Sequence, residues 1–230
     1  IKNNVFGAIK LLNLCEDNPP NYFFSVSTDK AANPVNIMGA SKRLSELVIQ
    51  ALAKQQSYTG FTIVSFGNVL GSSGSVIPIF SKQIKEGGPI TVTDSKMVRF
   101  FMTIPEAVEL VIQAGAMSNG GDVFVLDMGK PIRIYDLAVK MIELSGLTVL
   151  NENNSQGDIK IEFTGLRPGE KLYEELLVDG DFISTEHKLI MRAKEEMISW
   201  DKLEPNLIKI REAAAKSNTE ESYKLLKQIV

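Results

Sequence analysis

Helical and extended patterns alternate along most of this chain, and that rhythm restricts the fold more than any other feature of the sequence. Ile1–Leu12 already has helical spacing, running to about Cys15. Phe23–Ser27 reads as a short buried strand, and Met38 to about Gln55 as a long helix with Leu44, Leu47, Val48 and Ala51 on its apolar side. Phe61–Phe66, Ile90–Thr93, Phe100–Thr103, Val123–Asp127 and Ile159–Phe163 read as further strands, and helices are expected from Val76, over Glu106–Met117 behind Pro105, and over Ile134–Gly146. Strands separated by helices in this way imply parallel pairing through right-handed crossovers, hence an α/β doubly wound parallel sheet. A chain that opens on a helix, with neither Met nor a preceding strand, reads as the middle of a longer fold.

Composition removes several function classes. With 230 residues and 44% hydrophobic content the chain can bury a substantial core. A net charge of −3 offers no basic footprint for nucleic acid. Cys15 is the single cysteine and His187 the single histidine, so neither an internal disulfide, a multi-histidine metal site nor a Ser-His-Asp triad can be built; no metal is expected. No window approaches the roughly 20 apolar residues that span a bilayer.

The chemistry-bearing residues cluster behind the strand at Phe23–Ser27. Ser27-Thr28-Asp29-Lys30 lies at its end, and Met38 and Lys42 share one face of the next helix, four residues apart. A hydroxyl, a carboxylate and ammonium groups at the carboxyl end of an α/β strand suit proton transfer on a bound ligand. The competing reading makes Thr28 and Asp29 capping residues and Lys30 a solvated charge. Gly71-Ser72-Ser73-Gly74 follows a strand and precedes a helix, without the spacing of a dinucleotide fingerprint. Arg99, set among Met97, Phe100 and Phe101, is either salt-bridged or awaiting an anionic ligand. Pro168-Gly169 makes a rigid turn ahead of a helix expected over Lys171–Leu177, presenting Arg167, a fork matched to phosphate, and Glu170, an acceptor for sugar hydroxyls or a helix-start carboxylate.

Four segments in this order, Ser27–Pro34, Met38–Lys42, Arg99–Thr103 and Arg167–Lys171, resemble the extended short-chain dehydrogenase/reductase superfamily, and within it the UDP-N-acetylglucosamine 4,6-dehydratases of polysaccharide biosynthesis. The resemblance runs from Asn4 to about Met191. It implies NAD as cofactor, a UDP-sugar as substrate and partner, a homo-oligomer, and a cycle in which hydride leaves sugar carbon 4, water is lost across carbons 5 and 6, and hydride returns to carbon 6. By the same resemblance Thr28 contacts the carbon-4 oxygen, Asp29 assists departure of the 6-hydroxyl, Lys30 is the base at carbon 5, and Lys42, with Ser27, lies at the nicotinamide ribose. Arg167 is implied at the UDP diphosphate, Glu170 at the uridine ribose, Asn68 near the diphosphate or sugar, and Arg99 as a further substrate contact.

The sequence departs from the superfamily's pattern where Met38 stands in place of the usual catalytic tyrosine, so the first oxidation needs Lys42, Asp29 or a water as proton acceptor. Some dehydratases resembling this chain carry Met there, often as the cytoplasmic part of membrane-anchored proteins, and a cytoplasmic location is expected. The glycine-rich dinucleotide loop is expected upstream of Ile1, which makes the sheet a partial Rossmann-like one lacking its N-terminal strands. The expected division is residues 1–70 and 100–128 for the remainder of the NAD-binding domain, 71–99 and 129–198 for a smaller α/β substrate domain, and 199–230 for a helical tail.

Overall fold

A computed structural model describes residues 1–175, 182–194 and 197–230. The chain divides into two compact units, one of Ile1–Phe66, Glu109–Asp127 and Glu175–Val230, the other of Gly67–Val108 and Met128–Glu174.

In the first unit a π-helical turn, Lys2–Phe6, leads into α1 (Gly7–Asp17), followed by β1 (Tyr22–Val26), α2 (Ile37–Ala53) and β2 (Gly60–Ser65). β2 is buried along nearly its whole length, as a strand covered on both faces must be. It runs parallel to β1, with Tyr22 opposite Gly60, and to Asp122–Leu126 on its other side. The second unit holds β3 (Asn68–Val69), α3 (Val76–Lys85), β4 (Ile90–Val92), β5 (Val98–Arg99) and β6 (Phe101–Met102). The helix α4 (Ile104–Ala116) then leads to the strand of the first unit just mentioned, β7 (Asp122–Leu126). The second unit resumes with β8 (Ile132–Arg133), α5 (Ile134–Leu144), β9 (Val149–Leu150) and β10 (Ile159–Phe163). Its three-stranded sheet has the order β4-β10-β9, all parallel, and Phe80, Ile84, Ile90, Ile142 and Ile159 form its core.

The chain returns to the first unit with β11 (Phe182–Ser184) and β12 (Ile190–Ala193), an antiparallel pair that extends the large sheet to the order β1-β2-β7-β12-β11. The sheet is therefore mixed: parallel through β1, β2 and β7, as the alternation of elements implies, and antiparallel beyond. His187 serves the β11–β12 connection, its Nδ1 accepting from the Leu189 N–H while its own N–H donates to Thr185 Oγ1. The final helices, α6 (Trp200–Ala215) and α7 (Thr219–Lys227), seal the same core. Leu203, Leu207, Ile210 and Leu226 are buried in one cluster with Val5, Phe6, Leu44 and Val48.

These observations redraw the expected boundaries. Residues 182–193, expected in a substrate domain, belong to the large sheet because β12 pairs with β7. Residues 199–230 are an integral wall of the first unit's core rather than a separate tail, because one apolar face of each helix packs into it. Of the expected strand at Phe100–Thr103 only Phe101–Met102 is extended as a strand, and a separate short strand, Val98–Arg99, precedes Phe100. Helix α4 starts one residue before Pro105, behind a reciprocal cap in which Glu106 accepts from the Thr103 N–H and hydroxyl. Of the helix expected over Lys171–Leu177, residues 171–175 are not helical and Leu176 and Leu177 lie outside the described residues. The carbonyls of Lys171 and Leu172 are instead turned to the guanidinium of Arg99.

Candidate active site

The first-unit site is built where β1 ends and α2 begins. Thr28 caps a single 3-10 turn, Asp29–Ala31, its Oγ1 accepting from the Lys30 N–H at 3.4 Å and donating to Asp29 Oδ1 at 2.9 Å. The same carboxylate oxygen accepts from Lys30 Nζ at 2.8 Å. Capping and a chemically usable row of hydroxyl, carboxylate and ammonium are thus one arrangement. Asp29 is 1% exposed, and its second oxygen, Oδ2, is buried with no hydrogen-bond partner among the described residues. Lys30 remains partly open to solvent. The cluster can pass a proton between Thr28, Asp29 and Lys30 and still has one carboxylate oxygen to engage a donor.

Asn36 caps α2 by accepting from the Gly39 N–H at 2.9 Å, and this sets the rotation of the helix. The Lys42 ammonium donates to the Val26 carbonyl at 2.7 Å, at the end of β1. Burial lowers the pKa of Lys42 below its ordinary value, and the charge of Glu46 acts in the opposite sense. Met38 presents its side chain outward at 45% exposure, while its carbonyl accepts from the Ser41 hydroxyl. Ser27, named from the sequence as a cofactor contact, directs its hydroxyl into the protein, where it donates to Glu46 Oε1. Glu46 and its partner Arg43, 2.9 Å apart, were not singled out by sequence reasoning. Their signal was there: a carboxylate within the buried stripe of α2, one turn after Lys42.

The second unit assembles the other candidates. Arg99 is buried; Nη1 donates to the carbonyls of Val98 (2.7 Å) and Leu172 (3.2 Å), and Nη2 to that of Lys171 (2.8 Å). The carboxylates of Glu170 and Glu174 lie 3.8 and 3.6 Å from the guanidinium. Of the two readings of Arg99, the paired one is seen: its guanidinium holds the 170–174 segment. Pro168 and Gly169 form a turn closed by the Glu170 N–H to the Arg167 carbonyl, with Gly169 at φ 76°, the left-handed value that such a turn reserves for glycine. Glu170 also accepts from the Arg167 N–H at 3.1 Å, leaving the exposed Arg167 side chain projecting from a fixed backbone. The Asn68 carboxamide donates to the Phe100 carbonyl, beside the β3–β6 pairing. Gly71 and Gly74 both have positive φ, as successive turns require.

A partly parallel α/β sheet with these residues at the end of β1 is a Rossmann-like fold. The chain belongs to the polysaccharide biosynthesis protein family, which it matches over residues 1–195. It is 56% identical over 177 residues to the capsular polysaccharide biosynthesis protein CapD of Staphylococcus aureus, covering 77% of this chain and 28% of that protein. It is also 37% identical over 179 residues to the UDP-glucose 4-epimerase of Rickettsia rickettsii, covering 77% of this chain and 49% of that one. Among solved structures, Pen from Bacillus thuringiensis superposes with a TM-score of 0.71 at 37% identity, covering 89% of this chain and 66% of that chain. DesIV, a dTDP-glucose 4,6-dehydratase from Streptomyces venezuelae solved with NAD bound, shares the fold at a TM-score of 0.65 and 19% identity, over 88% of this chain and 63% of that one. The chain thus spans between about a quarter and two thirds of the proteins it resembles. Among the described residues no helix is long and apolar enough to cross a membrane.

Proposed function

We propose that this chain carries the proton-transfer residues of an NAD-dependent UDP-N-acetylglucosamine 4,6-dehydratase in polysaccharide biosynthesis, acting in the cytoplasm. The observation that carries the reading is the bonded row Thr28–Asp29–Lys30 at the end of β1, with Lys42 held beside it at the Val26 carbonyl. Moving one proton along the 2.8 Å contact between Lys30 and Asp29 turns the ion pair into a neutral amine and a carboxylic acid. Those are the base and the acid that elimination needs. Lys30 then takes the carbon-5 proton and Asp29 gives its proton to the departing 6-hydroxyl, which leaves as water. Thr28 orients the carbon-4 oxygen. Bound NAD would supply hydride acceptance from carbon 4 and its return to carbon 6; the 4-hydroxyl proton would pass by way of Thr28 to water, and Lys30 would give a proton back to carbon 5 as hydride reaches carbon 6.

The chain's residues suit the nicotinamide side of that cofactor: Lys42 is a half-buried cation with donor capacity beyond its bond to Val26, and it would hold ribose hydroxyls. Ser27, whose hydroxyl donates to Glu46, would offer the ribose only an acceptor. Arg167 would meet the diphosphate, Glu170 the uridine ribose, and Asn68 the sugar or diphosphate, while Arg99 fixes the segment that follows Glu170. Incubation of the full-length protein with UDP-N-acetylglucosamine and NAD should give a product lighter by one water, carrying solvent deuterium at carbon 5. A 4-epimerase reading is supported by the likeness to the Rickettsia enzyme; it predicts an isomeric product of unchanged mass, and it gives no part to the Asp29–Lys30 pair, which speaks against it.

A further inference from the structure

Lys42 and Glu46 stand one turn apart on α2 and are tied to consecutive residues of the strand end. Lys42 Nζ donates to the Val26 carbonyl, and the Ser27 hydroxyl donates to Glu46 Oε1. Arg43 Nη1 reaches the other oxygen, Oε2, at 2.9 Å. Glu46 is 4% exposed. A carboxylate held that far from water is costly, and an apolar side chain of similar volume would pack the same helix-on-sheet interface without that penalty. None of the roles assigned above uses it.

We propose that Glu46 is a positioning residue for the chemistry at the end of β1: it locks α2 to Ser27 and sets a carboxylate one turn from Lys42. Its part in catalysis rests on the dehydratase reading; its action on Lys42 does not. Burial lowers the Lys42 pKa and Glu46 raises it, so Glu46 offsets part of the desolvation of its neighbour. The elements packed against α2 carry further charges, among them Lys10, Glu16 and Asp17 on α1, Lys209 and Glu212 on α6, and Glu220, Glu221 and Lys224 on α7. Asp29 and Lys30 pair with each other, Arg211 and Lys227 lie over the rings of Phe6 and Tyr223, and Lys2 lies on the N-terminal turn. Glu46 is the charge that acts on Lys42.

The test is a pH titration of Lys42 by NMR of 13Cε-labelled lysine in the chain itself, for the parent, Glu46→Gln and Arg43→Gln. Glutamine keeps the shape of Glu46 and can still accept from Ser27, so only the charge is lost. The Lys42 midpoint should move to lower pH in Glu46→Gln and to higher pH in Arg43→Gln, where Glu46 is left unneutralised. In the full-length protein, the alkaline limb of the dehydration rate should follow in the same two directions with KM unchanged. Midpoints that coincide with the parent's, or that move the same way in both variants, overturn the proposal. Should Glu46→Gln fail to fold, Arg43→Gln decides alone, and an unmoved midpoint rejects it. Opposite NMR shifts in a protein that dehydrates nothing keep the assignment of Glu46 to Lys42 and discard the dehydratase reading instead.

Discussion

Gly39 of α2 lies so close under the turn that carries Asp29 and Lys30 that a Cβ at residue 39 would sit 2.1 Å from the Lys30 carbonyl oxygen. The neighbouring atom is backbone, so nothing flexible can yield. The third residue of α2 must therefore lack a side chain for the acid-base turn to rest on the helix that carries Lys42. Gly39→Ala should cost about 1–3 kcal/mol through overpacking, and should reduce dehydration far more than sugar-nucleotide binding. Thermal denaturation alongside a binding isotherm checks this; an unchanged melting temperature would show that the turn can lift away freely.

Asp29 and Lys30 separate chemistry from binding. Asp29→Asn and Lys30→Ala should each abolish formation of the dehydrated product while leaving the Kd for UDP-N-acetylglucosamine nearly as it was. Asp29→Asn should also lose roughly 1.5–3 kcal/mol of stability, because the buried charge-assisted bond to Lys30 is weakened. Turnover by either variant at the parent's rate would remove that residue from the roles given to it.

Arg167 and Arg99 should behave differently although both are arginines near one turn. Arg167 is exposed, so Arg167→Ala should leave the melting temperature alone and weaken sugar-nucleotide binding by roughly 1.5–3 kcal/mol if a charge-assisted bond to the diphosphate is lost. Arg99 is buried on three carbonyls, so Arg99→Ala should lower both the melting temperature and the affinity, the second through a loosened 170–174 segment. Equal effects of the two substitutions on stability would contradict this division.

The helices after residue 199 are tested by a single truncation of one side chain. Leu203 is fully buried in the core that also holds Leu44 and Val48 of α2, so Leu203→Ala should cost about 2–5 kcal/mol. Urea denaturation measures it directly. A near-zero cost would mean that α6 is a detachable tail after all.

Much of the fold was legible because its elements carry strong local patterns. The buried runs at β2 and β7, and the apolar stripes of α2, α4 and α5, announce themselves by period and composition. β1, expected as a buried strand, is instead the edge of the sheet with Tyr22, Phe24 and Val26 exposed, because apolar residues in a strand do not say what covers them. β11 was not legible: all three of its residues are exposed, and its place in the sheet depends on pairing with β12 rather than on any pattern of its own. Nor could the sequence show that Leu203, Leu207 and Leu226 face the same core as Val5, since an amphipathic helix does not name its partner.

The same line divides the site. Sequence alone determined which residue types stand together at the strand end, Thr28, Asp29, Lys30 and, one helix later, Lys42, because neighbours in the chain stay neighbours in space and helical spacing is fixed. It also placed Arg167 and Glu170 on either side of a turn that Pro168 and Gly169 dictate. Tertiary structure decided where each donor and acceptor is spent: Ser27 on Glu46, Arg99 on the carbonyls of Lys171 and Leu172, Lys30 on Asp29. Those choices depend on which groups are removed from water together, and burial is a property of the packed chain, not of any stretch of its sequence.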